Sequence, residues 1–267
     1  MSVPPRVLII AGSDSSGGAG IQADIKAVTM LGGYAMTAIT AVTAQNTLGV
    51  QGVEMLPAAF VGAQIDSCLD DIGADVVKIG MLGSPAVAHA VADRLERLAW
   101  PIVFDPVMVA TSGAVLADAE TIAAFSRLMT LATVVTPNLP ELEALAGTRC
   151  EDEAAITAAA LALADRAGCA VLAKGGHADS DMVVDLLVEA GGRVTPFRDG
   201  RIATRHTHGT GCTLASALAT ELGRGAALQQ AVAGARRFVR SALEHAPGFG
   251  GGAGPLGHYA VRPHPSP

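Results

Sequence analysis

The segment Thr207-His208-Gly209-Thr210-Gly211-Cys212 opens an apolar-periodic run carrying Leu214, Leu218 and Leu222. Glycines at a helix N-terminus leave backbone N–H groups unused. With the positive end of the helix dipole, those donors form an anion site. Charge developing on a transferring phosphoryl group is stabilised by such a site. Cys212 falls where the dipole is expected to lower its pKa, which suits a weak base or an orienting thiol. A glycine-rich turn with a buried cysteine explains the same spacing equally well.

Four further segments carry chemistry. Gly12-Ser13-Asp14-Ser15-Ser16-Gly17-Gly18-Ala19-Gly20 lies between a strand-like run and a helical one, where open α/β sheets bind ligands. Gly18–Ala23 matches a relaxed dinucleotide fingerprint, but nothing acidic lies between Asp24 and Glu54, and no Gly-Lys-Ser/Thr follows the glycines. A bare turn is the alternative. In Thr136-Pro137-Asn138-Leu139-Pro140-Glu141, Asn138 as N-cap and Glu141 three residues on form a capping pair; a place near the Mg²⁺ of bound ATP is the second reading. Asp105 ends an apolar strand, where a carboxylate either caps a turn or serves a site. Lys174-Gly175-Gly176-His177 ends another strand, and Lys174 there meets phosphate or is solvated at the sheet edge.

These segments need a scaffold, and the apolar pattern supplies one. Strands are expected at 7–11, 34–43, 75–81, 102–108, 134–136 and 170–174. Helices are expected at 60–72, 87–98, around 119–131, and at 153–167, 210–222 and 228–244, with a first helical stripe at Ile21, Ile25 and Val28. Residues 183–188 and 193–197 flank Glu189-Ala190-Gly191-Gly192 as a hairpin. Strand–helix alternation implies an α/β fold, a mainly parallel sheet covered on both faces with a late antiparallel ribbon. The Gly- and Pro-rich tail, 247–267, is expected to wrap over the surface.

Bulk properties bound the function. The 267 residues suffice for one large α/β domain, and half are apolar. A formal charge of −7 argues against a nucleic-acid partner. Arg236-Arg237 with Arg240 is the densest basic spot and reads as the solvated face of a helix. No apolar run reaches the roughly 20 residues that span a bilayer. Four cysteines without CxxC or metal-ligand spacing suggest free thiols in a cytoplasmic protein.

Taken in order, the segments are more specific. The run from Ala11 to Lys26, Ala41-Val42-Thr43-Ala44-Gln45-Asn46-Thr47, Lys78-Ile79-Gly80-Met81-Leu82, residues 136–141, residues 174–177 and residues 207–213 together resemble the signatures of hydroxymethylpyrimidine/phosphomethylpyrimidine kinases of thiamine synthesis. The resemblance covers about residues 6–245. It implies one domain over 1–267 with the ribokinase-like three-layer α-β-α fold, ATP and Mg²⁺ as cofactors, and a homodimer. It further implies that Asp24 and Gln45 hold the aminopyrimidine, with Gly12, Val107 and Met81 around it. Asp105 and Glu141 would serve the metal. Asn138, Lys174, Thr207 and the glycines Gly209 and Gly211 would serve the nucleotide, Gly209, Thr210 and Gly211 forming the anion hole. Cys212 would activate the hydroxyl.

The chain departs from the family pattern at Thr111, where a lysine is expected, at Arg205-His206, where Lys-Asn is expected, and in the loosely matching tail. A pyridoxal or pyridoxine kinase is the nearest alternative. A non-catalytic pyrimidine-binding module is another, although the anion-site glycines and the carboxylates are present. A dinucleotide-dependent oxidoreductase is disfavoured by the missing acidic residue.

Overall fold

The computed structural model describes residues 3–109, 116–176 and 181–261. Thr111 and His177 lie outside the described residues, as does the tail beyond 261. The elements run β1 (Arg6–Asp14), α1 (Gly20–Met30), β2 (Tyr34–Asn46), β3 (Gly49–Met55), α2 (Ala58–Asp71), β4 (Val76–Ile79), α3 (Pro85–Leu95), β5 (Ile102–Phe104) and α4 (Ala119–Leu131). They continue with β6 (Val134–Val135), α5 (Leu139–Ala146), α6 (Glu153–Ala167), β7 (Ala170–Ala173), β8 (Met182–Val188), β9 (Val194–Gly200), α7 (Thr210–Gly223) and α8 (Leu228–Glu244).

The strands form one sheet in the order β3-β2-β1-β4-β5-β6-β7-β8-β9. From β2 to β7 neighbours run parallel; β3, β8 and β9 pair antiparallel at the two edges. Along β1, Leu8 and Ile10 face a core shared with α2 to α6, while Val7, Ile9 and Ala11 face one shared with α1, α7 and α8. A strand buried on both faces reads as a continuous apolar run, which is why residues 7–11 were legible. The result is the expected three-layer arrangement. No helix among the described residues is long and apolar enough to cross a membrane.

The parallel strands deliver their carboxyl ends to one edge of the sheet. Asp14 ends β1, Asp105 follows β5, Thr136 follows β6 and Lys174 follows β7. Asn138 caps α5 through a full capping box, accepting from the Glu141 N–H while Glu141 accepts from the Asn138 N–H.

Several expectations are corrected. β3 was not foreseen, and β5 stops at Phe104 rather than 108. Arg236 is not solvated: it is 7% exposed and ion-paired to Asp185 and Asp199. The tail does more than wrap the surface. Leu256, His258 and Val261 are buried, with His258 Nε2 2.8 Å from Thr213 Oγ1. The His208 N–H donates to the Gly254 carbonyl at 3.1 Å, and His208 pairs with Pro255 as an isolated bridge.

Candidate active site

A cavity of about 1040 Å³ opens over the carboxyl ends of the parallel strands. Every expected site residue lines it except Asp24. That carboxylate is fully buried, taken up by Lys78 Nζ at 2.9 Å and Ser216 Oγ at 2.7 Å. A side chain with both oxygens engaged in the core does not meet a ligand, so the expected ring contact at Asp24 is corrected.

One end of the cavity is formed by the loop after β1 with β2 and β4. A Cβ at Gly12 would lie 2.7 Å from the Met81 sulfur, so a larger residue there would push the Met81 side chain aside. Thr40 holds the Met81 carbonyl at 2.7 Å. Gln45 Oε1 lies 3.1 Å from Thr43 Oγ1, and its Nε2 lies 3.4 Å from His208 Nε2. A primary amide can donate and accept at once.

The other end holds the charges. Asp105 accepts from Thr136 Oγ1 at 2.9 Å and pairs with Lys174 Nζ at 2.8 Å. Glu141 lies 4.0 Å from the same ammonium. Burial works to lower the Lys174 pKa, but Asp105 and Glu141 outweigh it and hold the ammonium charged. Burial raises the Glu141 carboxyl to about 7, opposed by Lys174 and reinforced by Asp105.

The first turn of α7 joins the two ends. Gly209 caps it at φ +84°, and a Cβ there would stand 1.9 Å from the Gly18 carbonyl oxygen. The turn therefore sits hard against the loop after β1, and only glycine fits. On its other side a Cβ at Gly211 would lie 3.2 Å from Lys174 Nζ and 3.5 Å from Asp105 Oδ2. Thr210 Oγ1 donates to the Thr207 carbonyl, closing the turn. The Thr210 N–H donates to the Thr207 carbonyl at 3.3 Å. The glycines on either side of it, Gly209 and Gly211, line the cavity at the start of the helix, where first-turn N–H groups have no intrahelical partner.

Cys212 reverses the sequence expectation. Burial raises the thiol to about 11, and the nearby Lys78 ammonium only partly offsets it. The helix dipole acts on a sulfur too desolvated to ionise at neutral pH.

Sequence reasoning gave no role to Asp14 or His208, although both line the cavity. Asp14 accepts hydrogen bonds from the Ser16 hydroxyl, from the Ser16, Gly18 and Ala19 N–H groups, and from His208 Nε2 at 2.8 Å. Burial works to raise its carboxyl, yet the bonds from His208, Ser16 and Ala19 hold it down at about 2. The signal that singled out Asp105, a carboxylate ending a buried strand, applies equally to Asp14.

The phosphomethylpyrimidine kinase family model matches residues 14–257. The chain belongs to that family. It is 44% identical to the hydroxymethylpyrimidine/phosphomethylpyrimidine kinase of Haemophilus influenzae, covering 97% of this chain and 98% of that one. It is 47% identical to a thiamine biosynthesis bifunctional protein of Geobacter sulfurreducens over 94% of its own length, and spans 52% of that longer relative. Among solved structures, the ADP complex of Bacillus subtilis pyridoxal kinase superposes with a TM-score of 0.89 at 32% identity, covering 97% of this chain and 98% of that one.

Proposed function

We propose that this kinase transfers the γ-phosphoryl group of ATP to the hydroxymethyl group of 4-amino-5-hydroxymethyl-2-methylpyrimidine, and then to the resulting monophosphate. The observation that carries the reading is the placement of the α7 N-terminus, packed against the Gly18 carbonyl on one side and facing Lys174 and Asp105 on the other. An acceptor held by Gln45, Gly12, Met81 and Val107 and a triphosphate held by Lys174, Asn138 and Thr207 thus meet at one anion site. Phosphoryl transfer depends chiefly on positioning and charge stabilisation.

The chain's groups divide the work accordingly. The N–H donors at Gly209 and Gly211 take up charge on the equatorial oxygens, while the Thr210 N–H is turned to the Thr207 carbonyl, and Lys174 adds a point charge. Cys212, protonated at neutral pH, orients the attacking hydroxyl as a hydrogen-bonding thiol. The hydroxyl proton is lost late, to an oxygen of the transferred phosphoryl group and from there to water, when the bond to phosphorus is largely formed. Mg²⁺ fits the donor set: two carboxylates, Asp105 and Glu141, flank Lys174, and no group of three His, Cys, Asp or Glu side chains forms a dedicated metal cage among the described residues. Mg²⁺ commonly pairs one or two carboxylates with phosphate oxygens and water, and when bound it neutralises the triphosphate. The same reading carries a cytoplasmic homodimer, supported by family resemblance.

The test is turnover by purified protein with Mg-ATP and hydroxymethylpyrimidine, followed by its monophosphate. The structural likeness to pyridoxal kinase favours one alternative, pyridoxal or pyridoxine as acceptor. Equal or better kcat/KM on pyridoxine would establish that alternative, and no turnover of either would refute both.

A further inference from the structure

Asp24, Lys78 and Ser216 come from α1, β4 and α7, and all three are fully buried. One Asp24 oxygen accepts from Lys78 Nζ at 2.9 Å and the other from Ser216 Oγ at 2.7 Å. A buried ion pair is weak support for stability, since desolvation offsets most of its attraction. Its position is more informative. Ser216 lies four residues after Cys212, one turn along the same face of α7. Asp24 likewise lies four residues after Gly20 on α1, and Gly20 and Cys212 line the same cavity. The two helices are therefore tied by Asp24 to Ser216, one turn along from Gly20 and Cys212 at the cavity.

The surroundings of this tie are fixed. Gly20 has φ +55°, and a Cβ there would stand 2.4 Å from the Gly12 carbonyl oxygen, so the start of α1 is locked to the acceptor loop. Lys78 rises from the sheet and lines the cavity alongside Cys212. It is shut in from the far side, because a Cβ at Gly80 would lie 2.8 Å from its Nζ.

We propose that Asp24, Lys78 and Ser216 are positioning residues that set the depth and rotation of the first turn of α7, and with it the Cys212 thiol and the anion-site N–H groups. The inference rests on the kinase reading for its kinetic consequence, but its geometric content stands apart from the identity of the acceptor. A shift of about 1 Å in such a turn is expected to slow transfer strongly while leaving ground-state binding of either substrate near normal.

Ser216→Ala cuts the tie to α7 and leaves the ion pair in place. Its kcat is expected to fall about tenfold or more with the KM for ATP unchanged. Iodoacetamide labelling of Cys212, followed by peptide mass spectrometry, is expected to change rate as the thiol moves, and needs no substrate. A second variant, Asp24→Asn with Lys78→Met, removes both charges together, so its Tm is expected to recover relative to either single change while kcat stays low. Wild-type kcat and labelling rate in Ser216→Ala would overturn the proposal, as would a double variant regaining kcat together with Tm. Wild-type protein inactive on every acceptor would count against the kinase reading instead, and the labelling result would still decide this one.

Discussion

Asp14 and His208, 194 positions apart in the chain, share a 2.8 Å hydrogen bond between Oδ2 and Nε2. Both side chains are buried. The bond latches the loop after β1 to the segment that opens α7, and both line the cavity. With Asp14 ionised, His208 Nε2 carries the hydrogen, which fixes the histidine's tautomer.

Asp14 gives a pH signature. Its folded pKa, about 2, lies below the ordinary carboxyl value of 3.8, so its stabilisation is complete above that value and is lost as pH falls toward 2. The difference amounts to roughly 2 kcal/mol. Urea unfolding at pH 5 and near pH 2 should show the gap between wild type and Asp14→Asn narrowing by about that amount. A constant gap would show that the carboxylate is not held by these bonds.

His258 acts in a higher window. Burial lowers its pKa to about 4 from 6.5, with Lys26 adding to the effect. The native state therefore binds fewer protons than the unfolded chain between these values, and stability falls as pH drops from 7 to 4. Roughly 3 kcal/mol is at stake. A His258→Gln variant should lack this component of the slope in parallel unfolding titrations.

Gly209→Ala places a methyl group against the backbone oxygen of Gly18, which has no flexible end to yield, and imposes a left-handed conformation on alanine. We expect kcat/KM to fall about 100-fold or more, as when one oxyanion donor is misplaced. A wild-type kcat/KM would show that this turn takes no part in transfer.

Gln45→Ala removes an amide that faces the acceptor end and lies away from Lys174 and Asp105. The KM for the pyrimidine should rise about tenfold, the worth of a hydrogen bond or two, with the KM for ATP unchanged. Matched losses of both would place Gln45 elsewhere in the mechanism.

The parallel core was readable because its strands are apolar on both faces, and α5 because its capping box is local in sequence. What stayed hidden was long-range or weakly patterned. β3 carries two glycines and is mostly exposed, so no apolar period marks it. Arg236 stands with two other arginines, and only the fold brings Asp185 and Asp199 against it. Asp24 was expected at the ring through family resemblance alone, and its burial stayed hidden because its partners are 54 and 192 residues away. The thiol at Cys212 was misjudged because a helix start is visible in sequence, whereas the desolvation that outweighs it arises only when the elements around the half-buried sulfur assemble.

The tail that pairs with His208 also sets an order of events during synthesis. A nascent chain of 200 residues contains the acceptor loop, both carboxylates and Lys174, yet lacks the helix that joins them. The brace on that helix's opening segment comes from Gly254 and Pro255, the latter nearly fifty residues beyond the histidine it supports. The pocket is thus completed only after translation has passed Pro255, and a ribosome-bound intermediate shorter than that is expected to be folded in part but catalytically silent.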